Sequence, residues 1–348
     1  MKRLLFTLLS TSFCINLMAQ DVHFTMYDAM IVTTNPASTG VYNGDFRGVL
    51  NYRSQWGSIG NPYKTYSVMI DGGLMKSKWK NGYIGIGLGA YKDVAGETKF
   101  GTTKLNFAIS SVLFLDDYNS ASIGFLASWA QNSISDENLR WDNQFDGQTY
   151  DPTAPSLESF QFENSSYVDF SAGGMWAYGK GTKTLSSMDN FTMQAGFSFY
   201  HVTRPSRQIE FGDLDRLYSR LALHTESFIG LYNSKWGVKP KLFVYMQGPA
   251  REISTGILAR YMIKEESKYT GMFKEMAVSF GTYYRFGDAF APSVEFELSG
   301  LAIGFSYDMN ISKLSSATGG SGGPEMYIKY VAASFGYGRG TRSNARFN

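Results

Sequence analysis

The side chains best able to do chemistry are three histidines, a crowd of carboxylates in one segment, and single charges at alternating positions. His23, His201 and His224 lie far apart in the chain. No Gly-x-Ser-x-Gly elbow and no His-Glu-x-x-His pair occurs, so no local motif marks a nucleophile or a zinc helix. A Ser-His-Asp grouping assembled across the fold is the catalytic alternative; the plain reading makes these surface or interfacial histidines. Asp136, Glu137, Asp142, Asp146 and Asp151 share one segment. Oxygen-rich loops bind calcium, but an EF-hand asks for ligands at positions one, three and five with glycine at six, which this spacing does not give. A solvated acidic loop is expected instead. The third set is Arg47, Arg53, Arg285, Glu295, Glu297, Asp308 and Lys329, the candidate lumen-facing polar residues. Charges of both signs on an inner face either line a conducting pore or pair with one another and close it. Lys76, Lys78 and Lys80 form a short basic turn, read as a solvated turn or a docking site. No catalytic residue, cofactor or metal site is assigned, and a net charge of +2 implies no nucleic-acid field.

What would hold these charges on one face is a strand. In Leu301 to Asn310, LAIGFSYDMN, large apolar side chains alternate with small or polar ones. Successive side chains on a strand point to opposite faces, so this is one greasy face and one polar face. About a dozen segments obey the same rule. Ile84, Ile86 and Leu88 alternate with Gly85, Gly87 and Gly89; Phe191, Met193 and Phe197 alternate with Thr192, Gln194 and Ser198. Apolar outward to lipid and polar inward to a lumen is the pattern of a transmembrane β-barrel. The 16 % aromatic content, with 23 Tyr and 26 Phe, suits aromatic girdles. Trp56, Trp129, Trp176 and Trp236 are read as interface anchors.

The chain falls into three expected parts. Residues 1–19, MKRLLFTLLSTSFCINLMA, have a basic start, an apolar core and a small final residue, as a signal peptide does. They hold the one cysteine, Cys14, so no disulfide is expected. Residues 20–42 form an N-terminal arm or plug, broken by Asn35-Pro36. Residues 43–348 form the barrel.

About fourteen strands are expected, with twelve or sixteen as the alternatives. The longest connections, about 131–166, 201–216 and 311–325, all follow odd-numbered strands, while Asp116–Asn119, Asn233–Gly237 and Ser299-Gly300 are tight and follow even ones. Long external loops, short periplasmic turns and an even strand count are the rule for bacterial barrels.

Two stretches carry a family resemblance. The entry holds His23-Phe24, Asn35-Pro36-Ala37, Gly40, then Tyr52-Arg53-Ser54-Gln55-Trp56 and Asp71. The exit holds Tyr284-Arg285-Phe286-Gly287-Asp288-Ala289-Phe290, Gly304 through Ser312, Leu314 and Gly322-Gly323-Pro324-Glu325. Together they resemble the PorP/SprF family of type IX secretion system outer-membrane proteins. The middle third, about 116–249, carries no matching motif. The end departs too: family members often finish near Cys-Pro-Arg-Phe, whereas this chain ends Ala345-Arg346-Phe347-Asn348. The resemblance implies a Gram-negative outer-membrane barrel without enzymatic activity, serving export or surface anchoring of a secreted, adhesin-like protein and often gliding motility. It implies periplasmic secretion components and the lipid bilayer as partners. A porin-like diffusion channel for small solutes is the alternative.

Overall fold

The computed structural model describes residues 21–332, apart from 59, 77, 97–98, 135–140, 156, 158–164, 181–182, 185–186, 189, 211–212, 265–274 and 314. Residues 1–19 with Cys14, the carboxylates Asp136 and Glu137, Leu314 and the final Arg-Phe pair therefore lie outside the described residues.

In chain order the strands are β1 (Phe46–Gln55), β2 (Tyr63–Leu74), β3 (Gly82–Ala95), β4 (Phe100–Phe114), β5 (Asn119–Ser133), β6 (Ser165–Lys180), β7 (Lys183–Thr184), β8 (Ser187–Met188), β9 (Phe191–Tyr200), β10 (Ser206–Glu210), β11 (Asp213–Arg216), β12 (Arg220–Gly230), β13 (Trp236–Gln247), β14 (Ala250–Lys264), β15 (Met276–Arg285), β16 (Ala289–Leu298), β17 (Leu301–Asn310) and β18 (Ser321–Ala332). Fourteen of them close into one antiparallel barrel; β7–β8 and β10–β11 are small hairpins within two connections. The barrel closes between its first and last strands, from Phe46 opposite Ala332 to Arg53 opposite Glu325. Closure removes the unpaired edges that an open sheet would leave in lipid.

The alternation read from sequence becomes geometry here. Along β17, Ile303, Phe305, Tyr307 and Met309 face out, and Ala302, Gly304, Ser306, Asp308 and Asn310 face in. The outer face is a continuous apolar belt that includes Leu50, Ile70, Leu88, Ile123, Phe125, Phe197, Ile257 and Phe280. Trp129, Trp176 and Trp236 lie on it. Two of the three prolines inside barrel strands coincide with a gap in the ladder on one side. The β12–β13 pairing skips Pro240, and the β16–β17 pairing skips Pro292, because proline has no N–H to give.

Some boundaries differ from expectation. The last strand starts at Ser321, not Met326, and runs through Gly322-Gly323-Pro324. A bulge beside Asp308 admits the two glycines, and Pro324 sits opposite Tyr307. Strand β12 begins at Arg220 rather than near Leu217. The turn at Ser299-Gly300 has φ of 47° and 91°, the doubly left-handed two-residue hairpin that matches strand twist.

Residues 21–45 precede the first strand and run through the lumen. Phe24 to Met30 and Val32 to Tyr42 are almost wholly buried. They contain one short helix, α1 (Ile31–Thr34), and a single 3-10 turn, Pro36–Ser38. Asp21 lies at the barrel end that carries the longest connections, beside Gln247 and His201. Tyr42 lies at the opposite end, beside Asp71 and Lys76.

Candidate functional site in the lumen

The arm lies on a strip of wall from which side chains have been removed. A Cβ on Gly124 would meet the Pro36 carbonyl carbon at 2.4 Å, one on Gly173 the Asn35 Oδ1 at 2.2 Å, and one on Gly85 the Thr39 carbonyl oxygen at 2.2 Å. Each distance is shorter than real side chains tolerate, so those strands carry glycine inward because the arm's backbone, or at Gly173 its Asn35 side chain, lies there. Between the glycines, serines satisfy the arm's carbonyls. Ser198 Oγ donates to Thr34 O, Ser122 Oγ to Ala37 O and Ser110 Oγ to Thr39 O, each at 2.7 Å. A buried carbonyl left alone costs on the order of 1–3 kcal/mol, so these hydroxyls are needed there.

Asn35 pins the middle of the arm. Its Oδ1 accepts from Ala37 N at 2.9 Å and caps the 3-10 turn that Pro36 begins. Its Nδ2 donates to Gly174 O at 3.0 Å and faces His224 Nε2 at 2.9 Å.

Charges fix the two ends. At the long-loop end, Asp308 accepts from Arg53 and from Arg285, each at 2.8 Å, and from Thr25 Oγ1 at 2.8 Å. Glu325 accepts the backbone N–H groups of Thr25 and Met26 at 2.8 and 3.0 Å. Arg53 also donates to the His23 carbonyl. Nearby, Asp21 Oδ2 is 2.5 Å from His201 Nε2, and His201 Nδ1 is 2.9 Å from Asp169, which also meets Lys104 at 3.3 Å. Burial works against the Asp21 carboxylate, but His201 and Arg220 outweigh it and hold its pKa below the ordinary carboxylate range. Burial likewise opposes the His201 imidazolium, and Asp21 with Asp169 overcomes it, so its pKa is raised. In mid-lumen, Asp28 accepts from Lys241 at 2.6 Å and Tyr283 at 2.8 Å, while Tyr27 stacks on Phe243. At the short-turn end, Asp71 holds Arg47 with two bonds of 2.9 Å and receives Gly40 N at 2.7 Å. Gly40 has φ +74°, a conformation glycine enters freely.

Of the seven polar positions singled out from sequence, Arg47, Arg53, Arg285 and Asp308 meet the arm directly. Glu295 and Glu297 instead meet wall cations: Lys239 Nζ is 2.6 Å from each, and Arg260 binds Glu297 through two nitrogens. Lys329 sits over the Tyr327 ring. Which sign of charge would meet which was not readable; Asp28, Lys241 and Asp169 were not singled out, and Glu325 stood only within the exit motif. The alternation of Lys239 with Lys241 on β13 was the available signal.

Two plain readings are corrected. The histidines are not on the surface. His201 and His224 are buried, and His23 faces Glu252 at 3.4 Å inside the lumen. Both ring nitrogens of His201 meet carboxylates, so neither is placed to take a proton from a hydroxyl. Lys76 is not part of a freely solvated turn. Its ammonium donates to Gly44 O at 2.7 Å and lies over the Tyr42 ring, and burial lowers its pKa to about 8. Lys78 and Lys80 are exposed. In the acidic loop, Asp146 and Asp151 accept from backbone and hydroxyl groups of Thr149 and Thr153, the ordinary use of aspartate in turns.

The barrel is similar to three solved ones, all distant. The Ralstonia pickettii toluene transporter TbuX is 12% identical, with 86% of this chain and 92% of that chain covered and a TM-score of 0.48. The CymD monoaromatic hydrocarbon channel is 9% identical, with 91% and 96% covered and a TM-score of 0.44. BamA from Haemophilus ducreyi lacking POTRA domains 1-3 is 10% identical, with 83% and 70% covered and a TM-score of 0.41. No curated protein matches the sequence. The family model described as type IX secretion system membrane protein PorP/SprF matches residues 16–322. That span takes in the entry stretch and the exit stretch as far as Gly322, and the fold unites the two: Arg53 from the entry meets Asp308 and Glu325 from the exit over the arm's own Thr25. On that match the chain belongs to the PorP/SprF family of type IX secretion system membrane proteins.

Proposed function

We propose that this protein is a plugged anchoring barrel of the type IX secretion and gliding machinery, in the outer membrane of a Gram-negative bacterium and without enzymatic activity. Residues 1–19 are its leader, 20–42 its plug and 43–348 its barrel. The long-loop end faces the outside, and residues 131–166 supply most of the surface that holds a secreted, adhesin-like partner. The short-turn end faces the periplasmic components of the machine. The arm is enclosed, so that contact falls to turns such as residues 75–81 rather than to the arm.

The observation that carries this reading is the filled lumen. A diffusion channel keeps a continuous aqueous path lined by solvated charge. Here Arg47, Arg53, Arg285 and Asp308 are spent on one another and on the arm. Deleting the gene tests the role: a defined surface protein is then retained inside or shed to the medium. Unchanged surface display of every secreted protein refutes the reading.

A further inference from the structure

The arm's two carboxylates are held differently. Asp28 lies deep in the lumen on Lys241 and Tyr283. Asp21 lies at the long-loop mouth. Its side chain keeps 21% of its exposure, while the His201 and Asp169 side chains beneath it keep 1% and 0%. Asp21 is thus partly open to solvent at the long-loop mouth. Its backbone N–H donates to Gln247 Oε1 at 3.2 Å, and its carboxylate meets His201 at 2.5 Å and Arg220 at 3.6 Å.

The receptor for that carboxylate is larger than the carboxylate. A cavity opens beside Asp21, lined by Val22, Thr33, Tyr91, Lys104 and Arg220 among others. Arg220 is buried, and its Nε has no hydrogen-bond partner among the described residues. Lys104 is buried too, and its one described ion pair, to Asp169, is 3.3 Å long. Three cationic groups, His201, Lys104 and Arg220, therefore surround two carboxylates, with donor capacity left over.

We propose that this pocket is a recognition site for an aspartate side chain on an extended peptide, that Asp21 occupies it as an internal stand-in, and that an acidic residue of the secreted partner competes with Asp21 and frees the top of the plug. The shape fits a peptide because Asp21 itself shows the binding mode: carboxylate on His201 and Arg220, its own backbone N–H on Gln247 Oε1. Competition at an already filled site makes occupancy depend on partner concentration. The mouth then loosens when a partner arrives and stays latched otherwise. The source of the aspartate rests on the secretion reading; the chemistry of the pocket does not.

The test uses purified full-length protein in detergent micelles, carrying Val22→Cys in a Cys14→Ser background. The rate of labelling at residue 22 by a charged maleimide reports whether the top of the plug is latched. Acetyl-Gly-Asp-Gly-amide is expected to accelerate labelling several-fold and saturably, and acetyl-Gly-Asn-Gly-amide to leave it unchanged. Adding Asp21→Asn should give fast labelling with no peptide present. No acceleration by the aspartyl peptide, or equal acceleration by the asparaginyl one, overturns the proposal. Acceleration only by a neutral peptide with a free C-terminal carboxylate overturns the side-chain assignment. Each of these results leaves the gene-deletion test of the secretion role standing.

Discussion

Asp308 shows what single residues do in this lumen. It is one buried carboxylate between two buried guanidinium groups and a threonine hydroxyl of the arm. Breaking a buried ion pair strands a charge and costs several kcal/mol, so such a cluster keeps the wall and the plug in one register. His201 does similar work at the mouth, between two carboxylates. Its neighbours are Asp21, Asp169 and Lys104, and its pKa is raised in the fold. The charged form is therefore the stabilising one. Its contribution is complete below the ordinary imidazole value of about 6.5 and is lost as pH rises through the raised value. The pKa of Asp21 is lowered, so its contribution is present above the ordinary carboxylate value of about 3.9 and disappears only in stronger acid. The thermal midpoint of the detergent-solubilised barrel should fall as pH rises past the ordinary imidazole value and on through the raised one, and His201→Gln should flatten that fall. An unchanged alkaline slope in the variant would remove His201 from the account.

Among elements, the arm and the inner strip of β3, β4, β5, β6 and β9 form one unit. The strip's glycines leave space, its serines supply donors, and the arm supplies the carbonyls. Gly124→Val puts a branched side chain where the Pro36 carbonyl lies. The ladder between β4, β5 and β6 does not depend on that position's side chain, so the barrel should still close. The arm should lift, at a cost of about 1–3 kcal/mol typical of overpacking, and become cleavable by added protease. An arm as resistant as in the parent protein would mean that it does not press on the wall at that point.

The inward Gly and Ser of these strands were visible in the sequence as a polar face, and so were the strand count and the odd-even loop pattern. What was not visible was that the arm covers that face. Period-two alternation reports only that one side of a ribbon meets lipid and the other does not. It is the same whether Gly85 or Ser122 faces water or a second backbone. The 3-10 cap at Asn35 was read only as a break, because the residues it binds, Gly174 and His224, are far along the chain. The last strand was cut short because Gly322-Gly323-Pro324 has turn composition; the bulge that admits it is a property of its partner, β17.

At the scale of the molecule, two structures share one space: a hydrogen-bonded cylinder complete without the arm, and an arm with hardly any regular structure without the cylinder. Every barrel strand finds its partners in the ladder, from the β1–β18 seam round to β2. The arm contributes contacts only to the inner face. Deleting residues 21–42 should therefore leave a strand-rich, membrane-inserting barrel with a lower thermal midpoint, since Lys241 and Glu325 lose the arm groups they bind. It should also turn a quiet protein into a conducting one. With the arm gone, Arg47, Arg53, Lys241 and Glu325 face water, and a fourteen-stranded ring lies close to the sixteen strands at which porins leave an aqueous channel. In planar bilayers the full chain should pass little current and the deleted chain should open discrete, larger steps. Protein with a protease site engineered at residues 43–45, cut after folding and washed, provides the same comparison without asking the shortened chain to fold. Equal conductance from plugged and unplugged barrels would mean that ions already have a path past the arm, and the diffusion-channel reading would then replace the anchoring one.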